Sequence, residues 1–198
     1  MSAFVLFAIV LVAAIVFWFI AAYNGLIALR NLTQNALKQI DVQLKRRHDL
    51  IPNLVQAVQG AMQFEKDTLQ AVVEARNQAV KIAAGGSDLQ NVAKTAAAET
   101  QLTGALGKLM AVVEAYPDLK ATGNIGQLQE ELTSTENKIG FARQLYNDTA
   151  TQYNIRQQQF PTSIVAGFAN ALPAQLWEIT DEGERSVPKV DLSMKPKG

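Results

Sequence analysis

The stretch Ala3-Phe-Val-Leu-Phe-Ala-Ile-Val-Leu-Val-Ala-Ala-Ile-Val-Phe-Trp-Phe-Ile-Ala-Ala22 is twenty residues without a charge, and its reading decides the rest of the fold. At a helical rise of about 1.5 Å per residue it spans about 30 Å, the hydrocarbon thickness of a bilayer. Trp18 and Tyr23 lie toward its C-terminal end, where amphipathic rings favour the membrane interface. A cleaved signal peptide is the competing reading. It is opposed by the absence of Lys or Arg before the run, by the run's length, and by bulky Phe19 or Ile20 at the −3 position of cleavage sites at Ala21 or Ala22. A buried core helix is opposed because the run is apolar all round. The segment is therefore read as a single transmembrane anchor. Arg30, Lys38, Lys45, Arg46 and Arg47 all follow it, so the positive-inside rule places the body in the cytoplasm and a very short N-terminus outside a bacterial-type inner membrane.

Behind the anchor, the 198-residue chain has room for one sizeable soluble domain. Lys+Arg and Asp+Glu both number 18, so no overall field attracts nucleic acid. There is no cysteine, which excludes disulfides, thiolate catalysis and iron–sulfur clusters. Six prolines and twelve glycines in a chain rich in Ala, Leu, Gln, Glu and Lys make a helical composition.

From Leu26 onward, Leu29, Leu37, Ile40, Leu44, Ile51, Leu54, Val58 and Met62 recur every three or four positions, which keeps one apolar stripe on one helix face. No loop signal separates this helix from the anchor, and Pro52 is expected to kink it against the carbonyl of His48. A second helix, Asp67 to Ala84, turns Leu69, Val72, Val73, Arg76 and Val80 inward and stops at Gly85-Gly86. Ser87 and Gln90 have the spacing of a capping box for a third helix. That helix carries Val92, Ala96, Leu102, Leu106, Leu109 and Val113, and ends at Pro117. After a loop at Ala121 to Asn124, with Thr122 or Asn124 as cap, a long fourth helix runs from Ile125 to Gln159. Its inward residues are Leu128, Leu132, Ile139, Ala142, Leu145, Thr149 and Tyr153, and Phe160-Pro161 breaks it.

Short connections make the four helices an elongated antiparallel bundle, so the expected class is all-α: a transmembrane helix followed by a four-helix bundle. The first helix leaves the membrane, so the fourth returns to it and delivers Phe160 to Ile179 to the bilayer surface. Ile164, Phe168, Leu172, Leu176 and Trp177 lie in that segment at helical spacing. A short helix capping the bundle is the favoured reading; an interfacial helix or subunit contact is the sharper one. The plan is an anchor over residues 1–23, a helical body over 24–179 and an extended tail over 180–198.

The stretch Gln39-Ile-Asp-Val-Gln-Leu-Lys-Arg-Arg-His-Asp-Leu-Ile-Pro-Asn-Leu54 closely resembles the signature of the LemA family. Further matches follow in order: Ala75-Arg76, Tyr116-Pro-Asp-Leu-Lys-Ala121, Leu128-Gln-Glu-Glu-Leu132, Thr135-Glu-Asn-Lys-Ile139, Tyr146-Asn-Asp148, Tyr153-Asn154, Phe160-Pro161, Gly167-Phe168 and Pro188-Lys-Val190. The resemblance covers nearly everything after Asn24 and implies a LemA-like bundle behind a membrane helix. It also implies companionship with membrane proteases or a part in membrane organisation, and no settled chemistry. Leu37 stands where the family commonly has Trp, and Met62-Gln-Phe-Glu65 lacks the His that many relatives carry before the Glu.

The residues offer no catalytic constellation. His48 is the sole histidine, which removes His–His metal pairs and HExxH, and it has no nucleophile motif nearby. No phosphate-binding or dinucleotide glycine loop is present, so no cofactor is expected. Glu65, Glu74, Glu99, Glu114 and Glu136 lack the Glu-x-x-His pairs of di-metal bundles; they are expected to pair with Arg30, Arg46, Arg76 and Arg143 and fix helix register. Ion pairing is also the favoured reading of Lys45-Arg46-Arg47. Asn24, Asn31 and Asn35 interrupt the first stripe, and as buried amides they would specify helix–helix assembly. The expected function is a non-enzymatic scaffold in contact with membrane lipid, which self-assembles or recruits a membrane protein such as a protease. A membrane-shaping homo-oligomer is the alternative. A carboxylate-metal or hydrolytic enzyme is the reading the residues support least.

Overall fold

Fifty-seven consecutive residues, Ala3–Gln59, form one helix, α1, so the apolar stretch and the first helix of the body are a single rod about 85 Å long. The computed structural model describes residues 3–59, 65–116 and 123–178. The other helices are α2 (Lys66–Ala83), α3 (Val92–Ala115), α4 (Gly123–Gln158) and α5 (Thr162–Phe168), and the described residues contain no strand. Among them, α1 is the one helix long and apolar enough to cross a membrane. Its N-terminal stretch stands free of the bundle, with Phe4, Phe7, Val10 and Phe17 exposed, and burial begins at Ala22 and Leu26.

Helix α4 lies along α1, and α2 pairs with α3 and with the far half of α1. Two apolar clusters result. The cluster far from the anchor takes Ile51, Leu54 and Val58 of α1, Leu69 and Val72 of α2, Leu102, Leu106 and Leu109 of α3, and Leu132 of α4. In the near cluster Leu26, Leu37, Ile40 and Leu44 meet Ile139, Tyr146 and Tyr153, but α2 contributes nothing here and α3 only its first turns. Leu89, Val92 and Ala96 close its lower edge, and Ala166, Ala174 and Trp177 cover what remains.

Gly86 takes φ +84°, the left-handed conformation that lets the chain turn between α2 and α3 without a Cβ penalty. The capping box does not form. Ser87 Oγ instead donates to Asp41 Oδ1 at 2.5 Å, and α3 begins only at Val92. Two stripe positions also shift. Val73 is exposed and Ala79 is buried; Leu145 is exposed and Tyr146 takes the core position beside it. Asn124 lies within α4, while Met62, Pro117 and Thr122 lie outside the described residues.

The segment after Pro161 is not one helix. It turns a single short helix, α5, and then runs extended from Ala171 to Glu178, because Asn170 adopts φ 45° and Pro173 cannot continue a helix. Residues 180–198, the expected tail, lie outside the described residues.

Candidate functional site

A layer of buried charge separates the two apolar clusters. On α1 it falls between Leu44 and Ile51, on α3 between Ala96 and Leu102, and on α4 between Leu132 and Ile139. Arg47 sits at the centre, only 2% exposed. Its guanidinium forms one ion pair with Glu99 through NH2 and another with Glu136 through NH1 at 2.5 Å, and NH1 also donates to Thr103 Oγ1 at 3.1 Å. His48 Nε2 lies 2.7 Å from Glu99 Oε1, so the Glu99 carboxylate holds two adjacent α1 residues at once. Burial pushes the Glu99 carboxyl up, but the His48 hydrogen bond and the Arg47 charge outweigh it and leave the group below its ordinary range. A fixed carboxylate that binds α1 to α3, with Arg47 carrying the link on to α4, sets the rotation and height of all three helices.

One turn away, the backbone itself is patched. Pro52 has no N–H to give to the His48 carbonyl four residues earlier. Arg76 Nε of α2 donates to that carbonyl at 3.2 Å. The family-like stretch around His48-Asp-Leu-Ile-Pro52 thus joins α1 to α2 through an acceptor that proline leaves free.

These partners differ from the expected ones. Arg47, not Arg30, Arg76 or Arg143, takes Glu99 and Glu136. Arg46 does pair with Glu131, at 3.4 Å on the exposed surface. Arg143 stacks over the Trp177 ring at 5.9 Å. The signal for Arg47 was present in the α1 stripe: Ile40, Leu44, Ile51 and Leu54 leave positions 47 and 48 on the same inward face.

The extended segment is held by side chains of α4. Asn147 accepts from the Trp177 N–H at 2.8 Å and donates to the Trp177 carbonyl at 3.0 Å. Asn154 does the same to Ala174, at 2.8 Å both ways. Seven helical residues advance about 10.5 Å and three extended residues about 10 Å, so the two grips are in register. Tyr146 Oη, on the same face, donates to the Gln175 carbonyl at 2.5 Å. Burial then raises the Tyr146 phenol far above its ordinary range, with the Asp88 charge adding to the effect.

The candidate contact residues divide. Trp18 and Tyr23 are exposed on the anchor, and Ile164, Phe168, Leu172 and Leu176 are exposed beyond α4. Trp177 is not: at 5% exposure it belongs to the core. Asn31 and Asn35 face outward with Asn24, so they are not buried amides of the stripe. Thr33 is the buried polar residue there, its hydroxyl returned to the Leu29 carbonyl at 2.9 Å. The amides that specify packing are Asn147 and Asn154, signalled by Tyr-Asn pairs repeated seven residues apart.

Two clefts flank the ionic layer. One, of about 440 Å³ between α3 and α4, is lined by Leu106, Gly107, Met110 and Leu132 with Gln129 and Glu114 at its edge. The other, of about 430 Å³ between α1 and α2, holds Asp41, His48 and Ser87. These three are not arranged as a relay, because Ser87 donates to Asp41 while His48 Nε2 is engaged by Glu99. Among the described residues no group of three His, Asp or Glu side chains is placed to hold a metal ion.

A helical bundle built on a helix of membrane-spanning length, with a buried Arg47–Glu99–Glu136 layer joining its helices, defines a membrane-associated helical protein. The chain belongs to the LemA family, whose pattern it matches over residues 36–192. It is similar to Protein LemA of Metamycoplasma hominis, 30% identical over 165 residues, an overlap covering 82% of this chain and 72% of that one. It is also similar to Magnetosome protein MamQ 2 of Paramagnetospirillum magneticum, 24% identical over 195 residues, 89% of this chain and 72% of the relative. A third relative, Magnetosome protein MamQ of Magnetospirillum gryphiswaldense, is 23% identical over 163 residues, 73% of this chain and 60% of its own length.

Proposed function

We propose that this protein is a non-enzymatic scaffold, anchored in a cytoplasmic membrane with its bundle on the cytoplasmic side, which assembles with copies of itself and presents a fixed surface to a membrane protein partner. The observation that carries this reading is the unbroken passage of α1 from the apolar stretch into the bundle. A flexible linker after an anchor lets a domain tumble, whereas a continuous helix fixes its height and direction relative to the bilayer. The buried Arg47–Glu99–His48 layer supports the same reading, because it ties α1 to α3 with side chains that have no room to exchange partners with a substrate. Arg30 and Lys38 beyond the apolar stretch support the cytoplasmic orientation. Two of the relatives are magnetosome proteins, which supports a role in organising a cellular structure.

The native mass and lipid content of the full-length protein, extracted gently from membranes, test this. Large uniform particles rich in lipid are expected for the membrane-shaping form of the scaffold, and smaller defined oligomers for an adaptor. A lipid-free monomer overturns self-assembly.

A further inference from the structure

Beyond α1, the chain has a second long stretch without charge: none occurs between Arg156 and Glu178. The structure divides that stretch into two faces. Thr162, Val165 and Ala166 of α5, and then Ala174 and Trp177, are buried against the bundle. Phe160 is 82% exposed and Phe168 77%, with Ile164 and Leu172 also exposed, so bulky apolar groups at four-residue intervals face away from the protein. An apolar set of this size in a soluble region needs a cover.

The position of α5 says what the cover is. The Phe168 ring meets the Phe19 ring edge-on, with centroids 6.1 Å apart. Phe19 lies within the apolar stretch, four residues and so about 6 Å on the membrane side of Tyr23. A group level with Phe19 is therefore about 6 Å inside the interface marked by Tyr23, the usual depth of an interfacial amphipathic segment. Charge agrees with this. No Asp or Glu occurs from Ala3 to Ile40, or from Thr149 to Trp177, whereas Arg30, Lys38 and Arg156 do. Arg30 stands about 10 Å beyond Tyr23, within a Debye length of the anionic headgroup layer.

We propose that Phe160, Ile164, Phe168 and Leu172 form a second membrane foot, inserted into the leaflet from which α1 emerges, with Arg30 and Arg156 meeting anionic headgroups. The inference rests on α1 being membrane-spanning. With two points of entry, the anchor and the foot, the bundle is held upright and its rotation about the α1 axis is fixed. The Asn147 and Asn154 grips, together with buried Val165 and Ala166, fasten the foot to α4.

The absence of cysteine allows a direct test in the full-length protein. Single variants Phe168→Cys, Phe160→Cys, Ile15→Cys and Val42→Cys are labelled with an environment-sensitive fluorophore and reconstituted in phosphatidylcholine–phosphatidylglycerol vesicles carrying a quencher on the upper acyl chain. Val42 is exposed and about 28 Å beyond Tyr23, so its label stays in water. The labels at Phe168 and Phe160 are expected to be blue-shifted and quenched by lipid, as at Ile15, and the Val42 label open to aqueous iodide. Quenching at Ile15 with water-like behaviour at Phe168 and Phe160 overturns the foot and leaves the anchor. Water-like behaviour at all of Ile15, Phe168 and Phe160 overturns both. A label at Phe168 shielded from iodide yet untouched by lipid quencher, with energy transfer between copies, overturns the foot in favour of a subunit contact.

Discussion

Asn154 holds Ala174 by both of its backbone groups, Oδ1 accepting the N–H and Nδ2 donating to the carbonyl, each at 2.8 Å. A side-chain amide here does the work of a neighbouring strand, and Asn147 repeats it on Trp177 two helical turns earlier. Asn154→Ala removes both bonds and leaves two partly buried backbone groups unpaired, a cost of about 1–3 kcal/mol. Because Asn147 still holds Trp177 and most of the near cluster comes from α1 and α4, the loss is expected to be local. Hydrogen exchange at the Ala174 amide should accelerate, and less so at Trp177, which Asn147 still holds, while the amides of Leu44–Leu54 keep their protection. Uniform acceleration across the bundle contradicts a local clamp.

The ionic layer makes a larger prediction. Arg47→Met leaves Glu136 without its buried partner and Glu99 with His48 alone, and removing one partner of a buried pair costs about 3–5 kcal/mol. Replacing Arg47 and Glu99 together by Met and Leu removes the buried carboxylate and leaves only Glu136, which is half-exposed and reaches water, so the double variant is expected to melt closer to wild type than Arg47→Met does. Both melts are read by circular dichroism of the full-length protein in micelles. A double variant less stable than either single one shows that the layer stabilises the bundle outright and is not chiefly a register device.

Acidification probes the same carboxylate. The Glu99 carboxyl in the folded protein lies below its ordinary value, with Arg47 and His48 facing it from α1 and Glu136 joining through Arg47. Folding therefore favours its ionised form. The associated stability is complete above the ordinary carboxylate value of about 4.3 and is lost as pH falls below that through the folded value. The melting difference between wild type and Glu99→Gln is expected to be greatest near neutrality and to shrink as pH falls from about 5 to 3. A difference that is constant over that range removes Glu99 from the acid sensitivity.

The expected bundle followed from residues whose pattern is local. The stripe from Leu26 to Val58, the Gly85-Gly86 stop and the Phe160-Pro161 break all act within a few residues of themselves. The misplacements occur where a distant partner decides between local options. Leu145 and Tyr146 fit helical spacing equally after Ala142, and Tyr146 is chosen by its hydroxyl reaching Gln175. Ser87 has the spacing of a cap but finds Asp41 on another helix first. Leu172 and Leu176 are both exposed although no helix joins them across Pro173, because Asn154 and Asn147 hold Ala174 and Trp177, three residues apart, against the bundle and leave the residues beside them facing outward. Arg46 and Arg47 are neighbours of equal charge, and only the phase of the α1 stripe sends Arg47 inward to Glu99 while Arg46 meets Glu131 at the surface.

Pro52 and Arg76, on different helices, are linked through one backbone carbonyl, that of His48. Proline removes the N–H that the His48 carbonyl otherwise receives, and Arg76 Nε takes its place from α2 at 3.2 Å. Arg76→Ala in the wild-type background leaves that carbonyl unpaired within the packed helices, at a cost of about 1–3 kcal/mol. In a Pro52→Ala background the helix restores its own hydrogen bond, and Arg76→Ala then costs only the packing of the side chain. A double-mutant cycle is expected to show coupling of about 1 kcal/mol or more between two residues on different helices. Zero coupling means that Arg76 serves the α1–α2 contact through its stem alone. Coupling of the expected size means that the proline is tolerated within α1 because α2 completes the backbone there, and that the α1–α2 pairing is written into the same short stretch that carries Arg47 and His48.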